Sequence, residues 1–219
     1  MIPKSKTHLM ATFKNGILGP FKGKVGKVVG YELNGQYVMR GIGYGKVNRK
    51  PTPKEQANRK RFATAQTWLQ PLIEFLRVGF QDYAPTFQGF SAAKSYLLNH
   101  AITGTYPDFV IDPALVLVSF GQLAQASSSN VISEQPNTLT FTWEPGKHAY
   151  DDRAMFVAYD LEEGIAEFDT SAAKTQNKTG TFVLSKGFSG KEVHVYLAFV
   201  SEDRKNRSNS QYLGKVGVL

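Results

Sequence analysis

Val193-His194-Val195-Tyr196-Leu197-Ala198-Phe199-Val200 is a strand written almost without polar residues. It is rich in β-branched and aromatic side chains, and Val193, Val195, Leu197 and Phe199 fall on one face of a period-two repeat. Upstream, Leu139, Phe141 and Trp143 share a face in the same way within Thr138–Trp143. Those two faces are the expected core of an antiparallel sandwich. Further short segments flank them: Leu115–Phe120, Ala154–Asp160, Ile165–Asp169, Thr181–Ser185 and Gln211–Val218. Clusters of turn-forming residues such as Ala126–Asn130 and Glu202–Ser210 separate these segments. Seven strands at such spacing predict a β-sandwich over residues 114–219.

Towards the N-terminus the period changes. Gly104, Pro107 and Pro113 mark residues 103–113 as a linker. Before it, Ser91–Ile102 reads as a helix whose apolar content is Ala92, Ala93, Tyr96, Leu97 and Leu98. A longer helix starts at Thr52-Pro53-Lys54-Glu55, where Thr52 caps, Pro53 suits the first turn and Glu55 completes a capping box. Phe62, Ala65, Leu69, Leu72 and Leu76 form its apolar stripe, and Pro71 breaks or kinks it. Further upstream, Lys24–Glu32 and Gln36–Ile42 read as two strands joined by a tight Asn34-Gly35 turn. On a regular first strand Val25 and Val28 lie on opposite faces, while Gly26 and Gly30 point to a bulge or a close backbone approach. The fold class is therefore α+β: a basic β-hairpin with helices over 14–102, preceded by an arm over 1–13 and followed by the linker and the sandwich. A hairpin alone is too small to be stable and needs a partner surface.

Charge is distributed unevenly along this plan. Residues 1–62 hold 14 basic side chains against two acids, a net +12, whereas residues 63–219 hold 12 against 16, a net −4. The cations of interest for assembly or polyanion binding are Lys22, Lys24, Lys27, Arg40, Lys46, Arg49, Lys50, Arg59, Lys60 and Arg61, with Tyr31, Tyr37 and Tyr44 interleaved. Arg204, Lys205 and Arg207 form a second basic patch in the loop before the last strand.

Two resemblances follow from quoted motifs. Thr140-Phe141-Thr142-Trp143-Glu144-Pro145 and Gly190-Lys191-Glu192-Val193-His194-Val195-Tyr196 resemble the second and sixth strands of fibronectin type III and immunoglobulin-like modules, with Val193 standing where such modules usually carry a corner tyrosine. Lys14-Asn15-Gly16-Ile17-Leu18-Gly19, the run Gly23–Gly30, Pro53-Lys54-Glu55-Gln56 with Arg59 and Phe62, and Ala101–Phe109 resemble a bacterial protein family of unknown function found mostly in the Bacteroidetes. The first resemblance implies a scaffold or adhesive module; the second implies no activity.

Catalytic and cofactor motifs are sparse. Cysteine is absent, which excludes disulfides, thiolate nucleophiles and Cys-ligated zinc. His8, His100, His148 and His194 are scattered without metal-ligand spacing. Gly41-Ile42-Gly43-Tyr44-Gly45-Lys46 lacks the third glycine of a dinucleotide loop, and no phosphate-loop Gly-Lys-Ser/Thr follows the glycine-rich run. The expectation is a non-enzyme with no cofactor, metal or small-molecule substrate. No signal peptide or membrane-spanning run is evident, which leaves the cytoplasm or a virion or extracellular setting reached by another route, and translation starts at Met1 or Met10.

Three functions stay open at this level. The chain is a structural protein that self-associates through its basic module, docking on acids such as Glu162, Glu163 and Glu167 of a neighbouring copy in a virion-like or filamentous assembly. It is a nucleic-acid-binding protein using the same stretch. Or it is a surface adhesin acting through the sandwich loops.

Overall fold

The computed structural model describes residues 11–14, 16, 19–33, 35–43, 49–81, 83 and 88–219, arranged as two units, residues 1–50 and 51–219. Asn34, Tyr44, Lys46, His8 and most of the expected arm lie outside the described residues.

The first unit is a four-stranded antiparallel meander, β1 Thr12–Phe13, β2 Phe21–Val25, β3 Val28–Leu33 and β4 Gln36–Gly41. The single strand expected over Lys24–Glu32 is divided at Gly26-Lys27, because Gly26 adopts φ +57° and turns the chain back. A positive φ at the first central residue is what a two-residue hairpin turn asks for, and glycine supplies it without steric strain. Val25 and Val28 therefore pair directly across the turn and share a face rather than opposing one another. Gly30 is a close-approach position: a Cβ there would collide with the Phe21 carbonyl oxygen and with its ring at 2.8 Å. At the far turn Gly35 has φ +77°, as the Asn-Gly reading requires of its second residue.

The second unit begins with α1, Pro53–Leu69. Its start is the expected capping box, with Glu55 N–H donating to Thr52 Oγ1 and Thr52 N–H donating to Glu55 Oε2 at 2.8 Å. At Pro71 the helix tightens into a 3₁₀ turn over Gln70–Leu72 and restarts as α2, Ile73–Gly79. The third helix, α3, spans Gly89–His100. Ala65, Leu69, Leu72 and Leu76 are fully buried, whereas Phe62, counted in the same stripe, is exposed.

Residues 103–113 do not form a linker. They build the hairpin of β5 Ile102–Thr105 and β6 Asp108–Ile111, and Ile102 and Ile111 pack on the helical core. The chain then forms seven strands: β7 Ser128–Gln135, β8 Thr138–Glu144, β9 Arg153–Asp160, β10 Ile165–Lys174, β11 Thr179–Val183, β12 Glu192–Val200 and β13 Gln211–Gly217. They make a three-stranded sheet, β11-β8-β7, and a four-stranded sheet, β10-β9-β12-β13. Exchange of strands between two facing antiparallel sheets is the fibronectin type III and immunoglobulin-like plan.

The first strand of the sandwich differs from expectation. Leu115–Phe120 is not a strand; Val116 and Val118 are buried and its backbone bonds go to scattered partners, Phe120 N–H to Gly79 O and Val118 N–H to Ser210 Oγ. The pairing strand is β7, whose Ser-Ser-Asn start reads as a turn and which buries only Val131.

Two cores share the four-stranded sheet. Leu139, Phe141 and Trp143 of β8 meet Phe156 of β9 and Val193, Val195, Leu197 and Phe199 of β12, as the period-two pattern predicts. Phe141 and Phe156 stack with centroids 3.9 Å apart. On the opposite face, Met155, Val157 and Tyr159 of β9 and Tyr196, Ala198 and Val200 of β12 pack against Leu69, Leu72, Phe75 and Leu76 of the helices. Helices and sandwich are thus one three-layer body, and the boundary expected between them is absent.

Candidate functional site

The cationic residues named from sequence are sorted by the strand register of the N-terminal sheet. The pairs Thr12↔Lys22, Lys24↔Val29, Val29↔Arg40 and Tyr31↔Val38 lie on one face. Phe13↔Phe21, Val25↔Val28, Gly30↔Met39 and Glu32↔Tyr37 lie on the other, since side chains alternate along a strand. One face thus carries Lys22, Lys24 and Arg40 around Val29, Tyr31 and Val38. The other carries Phe13, Phe21, Val25, Val28, Tyr37 and Met39 with Glu32 as its acid. Lys27 sits in the β2–β3 turn, Arg49 and Lys50 are exposed beyond β4, and Lys46 lies outside the described residues.

Within the first unit the described residues supply no second layer over the apolar face. Gly30 alone is buried among the described residues of 11–50, while Met39 is 68% exposed, Tyr37 48% and Val25 45%. Phe13 and Phe21 lean together at 5.5 Å, and the Lys14 ammonium donates to the Tyr37 hydroxyl at 3.4 Å. A single sheet layer presents both faces outward, so its apolar side chains gain little from folding alone.

The helical cations are not one cluster. Successive helix positions turn by about 100°, so Arg59, Lys60 and Arg61 diverge. Arg59 and Lys60 are exposed, but Arg61 is half-buried and donates to the Leu98 carbonyl of α3. The second patch is dispersed as well. Arg207 is buried and its guanidinium donates to Gln81 Oε1 at 3.3 Å and to the Arg204 carbonyl. Arg204 donates to Thr170 Oγ1 at 3.3 Å, and Lys205 lies 3.7 Å from Asp203. Of the acids offered as a docking face, Glu163 is paired with Lys191 at 2.6 Å and Glu167 accepts from Ser185 N–H, leaving Glu162 as an exposed turn residue.

Two polar histidine contacts were not anticipated. His148 Nδ1 stands 3.3 Å from Asp152 Oδ2, with both side chains buried beside Phe199. Asp152 also accepts from Ala149 N–H, so this pair closes a turn. His194 Nδ1 lies 2.8 Å from the Tyr212 hydroxyl, and burial, then the neighbouring Lys215, hold its pKa below the ordinary 6.5. Tyr159, covered by the helices and close to Asp160, is pushed up to about 12. Its hydroxyl donates to the Trp68 carbonyl at 2.8 Å, a buried tie between sheet and helix. Among the described residues no three His, Asp or Glu side chains are placed to hold a metal ion, and no helix is long and apolar enough to cross a membrane.

A family model described as a family of unknown function (DUF6266) matches residues 20–214. Comparison with curated proteins gave no match. Among solved structures, the fn3 domain of the human collagen alpha-1(XX) chain is similar over 44% of this chain and 86% of its own length, with 14% identity and a TM-score of 0.33.

Proposed function

We propose, for a chain that belongs to this family of unknown function and takes no activity from it, a non-enzymatic assembly role: copies associate through the apolar face of the N-terminal sheet. The observation that carries the reading is the exposed face of Phe13, Val25, Val28, Tyr37 and Met39 on a sheet whose described residues bury Gly30 alone. Large contiguous apolar faces on otherwise polar proteins mark interaction sites. A second copy fits that face because Lys22, Lys24 and Arg40 all lie on the reverse side. Two sheets stacked apolar side inward make a two-layer sandwich and leave both sets of cations in water.

Light scattering coupled to size-exclusion chromatography, at low and high salt, tests this. The expected result is an oligomer that persists or tightens as salt screens the like charges. Val28→Asp together with Met39→Asp should yield monomers with an unchanged melting point of the body. A monomer at every concentration and salt sinks the idea.

A second reading rests on the other face, where Lys22, Lys24 and Arg40 surround Tyr31 in the manner of a cationic stacking platform for single-stranded nucleic acid. It predicts the opposite salt response: oligonucleotide binding that falls steeply with salt and weakens about tenfold in the triple alanine variant. An unchanged mobility of every oligonucleotide at low salt eliminates it.

A further inference from the structure

Beside α1 the body carries an open groove of about 780 Å³, within the range of small-molecule sites. Lys60, Ala63, Thr64, Thr67 and Pro71 line it at intervals of three and four, so one stripe of the helix forms its wall. Trp68, Ile111, Tyr159 and Leu161 supply the apolar floor.

The polar groups on this groove are unevenly satisfied. Glu163 is neutralised by Lys191 at 2.6 Å, and Thr64 donates to the Lys60 carbonyl at 3.0 Å. Gln66 is engaged on both sides, accepting from Lys94 at 2.6 Å and donating to Gln70 Oε1 at 3.0 Å. What remains is a set of donors: the Lys60 ammonium, the Thr67 hydroxyl and the Gln70 amide NH₂ have no partner among the described residues. The Trp68 indole N–H is buried without an acceptor and so is closed to a ligand in the groove, whereas that of Trp143 donates to the Thr175 carbonyl at 2.9 Å.

We propose that this groove binds a small apolar carboxylate, its hydrocarbon body on the Trp68–Leu161 floor and its oxygens turned to Lys60, Gln70 and Thr67. A hydrocarbon chain suits the floor, and a carboxylate suits a rim that offers several donors and whose one acid is already paired. All of its lining residues belong to the second unit.

The test is a titration of the full chain with octanoate, read from the two indole ¹⁵N–¹H resonances, the Trp68 signal being assigned by its loss in Trp68→Phe. A saturable shift of the Trp68 signal is expected while the Trp143 signal stays in place. Ala63→Phe, an exposed helix position on the groove wall, should weaken binding about tenfold or more without moving the Trp143 signal. Lys60→Met should weaken it about threefold, as befits a charge at the rim, and 1-octanol should bind less tightly than octanoate. No shift of the Trp68 signal, an equal shift in Ala63→Phe, or equal affinity for octanol and octanoate overturns the proposal.

Discussion

The N-terminal meander and the four-stranded sheet of the body have the same strand count and the same antiparallel pairing, yet they are held by different means. In β12 every residue from Val193 to Val200 is buried, because facing strands cover one side and helices the other. In the meander, strands just as rich in Val, Tyr and Phe bury none of those side chains fully and leave Phe13, Val25, Val28 and Tyr37 exposed. Strand pairing satisfies the backbone in both. Only layering removes apolar area from water, at roughly 25 cal/mol per Å².

Mutations can break that contrast at graded strength. Phe141→Ala removes a ring stacked on Phe156 in a filled core and should cost about 3–5 kcal/mol in chemical denaturation. A loss below about 1 kcal/mol would mean that the sandwich core is looser than its burial implies. Gly30→Val forces a side chain into the Phe21 backbone and should cost about 1–3 kcal/mol, confined to the meander. Amide hydrogen exchange should then accelerate over 21–41 and stay unchanged over β12. Spread of the change into the body would erase the distinction between the two sheets.

Smaller effects probe the body's own layering. Tyr159→Phe deletes the hydroxyl that donates to the Trp68 carbonyl and should lower stability by about 1 kcal/mol. The smallest effect is a pH slope. His194 holds its proton less firmly when folded than when unfolded, so its contribution is intact above the ordinary 6.5 and declines as pH falls below it. Melting curves between pH 7.5 and pH 5.5 should show a fall that is reduced in His194→Gln. A fall of the same size in that variant assigns the slope to other groups.

Much of the body is legible in the chain because burial on one or both faces leaves a period. The β8 face of Leu139, Phe141 and Trp143, the β12 face of Val193 to Phe199, the Thr52 cap and the Pro71 break all follow from side-chain chemistry within a few residues. Three features do not. Strand β7 buries a single side chain, Val131, so an edge strand of serines and asparagine carries no alternating signal. Leu115–Phe120 carries a strand's apolar content but passes between elements that give its backbone scattered partners. Residues 103–113 hold Gly and Pro that read as a linker and in fact shape a hairpin packed on the helices.

The candidate surface was legible in part. The sorting of the sheet's side chains into a basic face and an apolar face depends on the Gly26-Lys27 turn, which sets the pairing of β2 with β3. Arg61 and Arg207 show the limit of reading charge as exposure, since both guanidinium groups reach backbone carbonyls inside the body. The Trp68 groove left no local motif, because its walls come from residues about 100 positions apart that only the folded sheet brings together.

The sheet shared by two cores has a practical consequence for anyone wishing to move this module elsewhere. A fragment starting at residue 114 keeps all seven sandwich strands but strips the helices from Met155, Val157, Tyr196, Ala198 and Val200. Such an excised piece would carry a sticky flank in place of a finished surface. The transferable cassette begins at the Thr52 cap, and a fusion joint belongs before it.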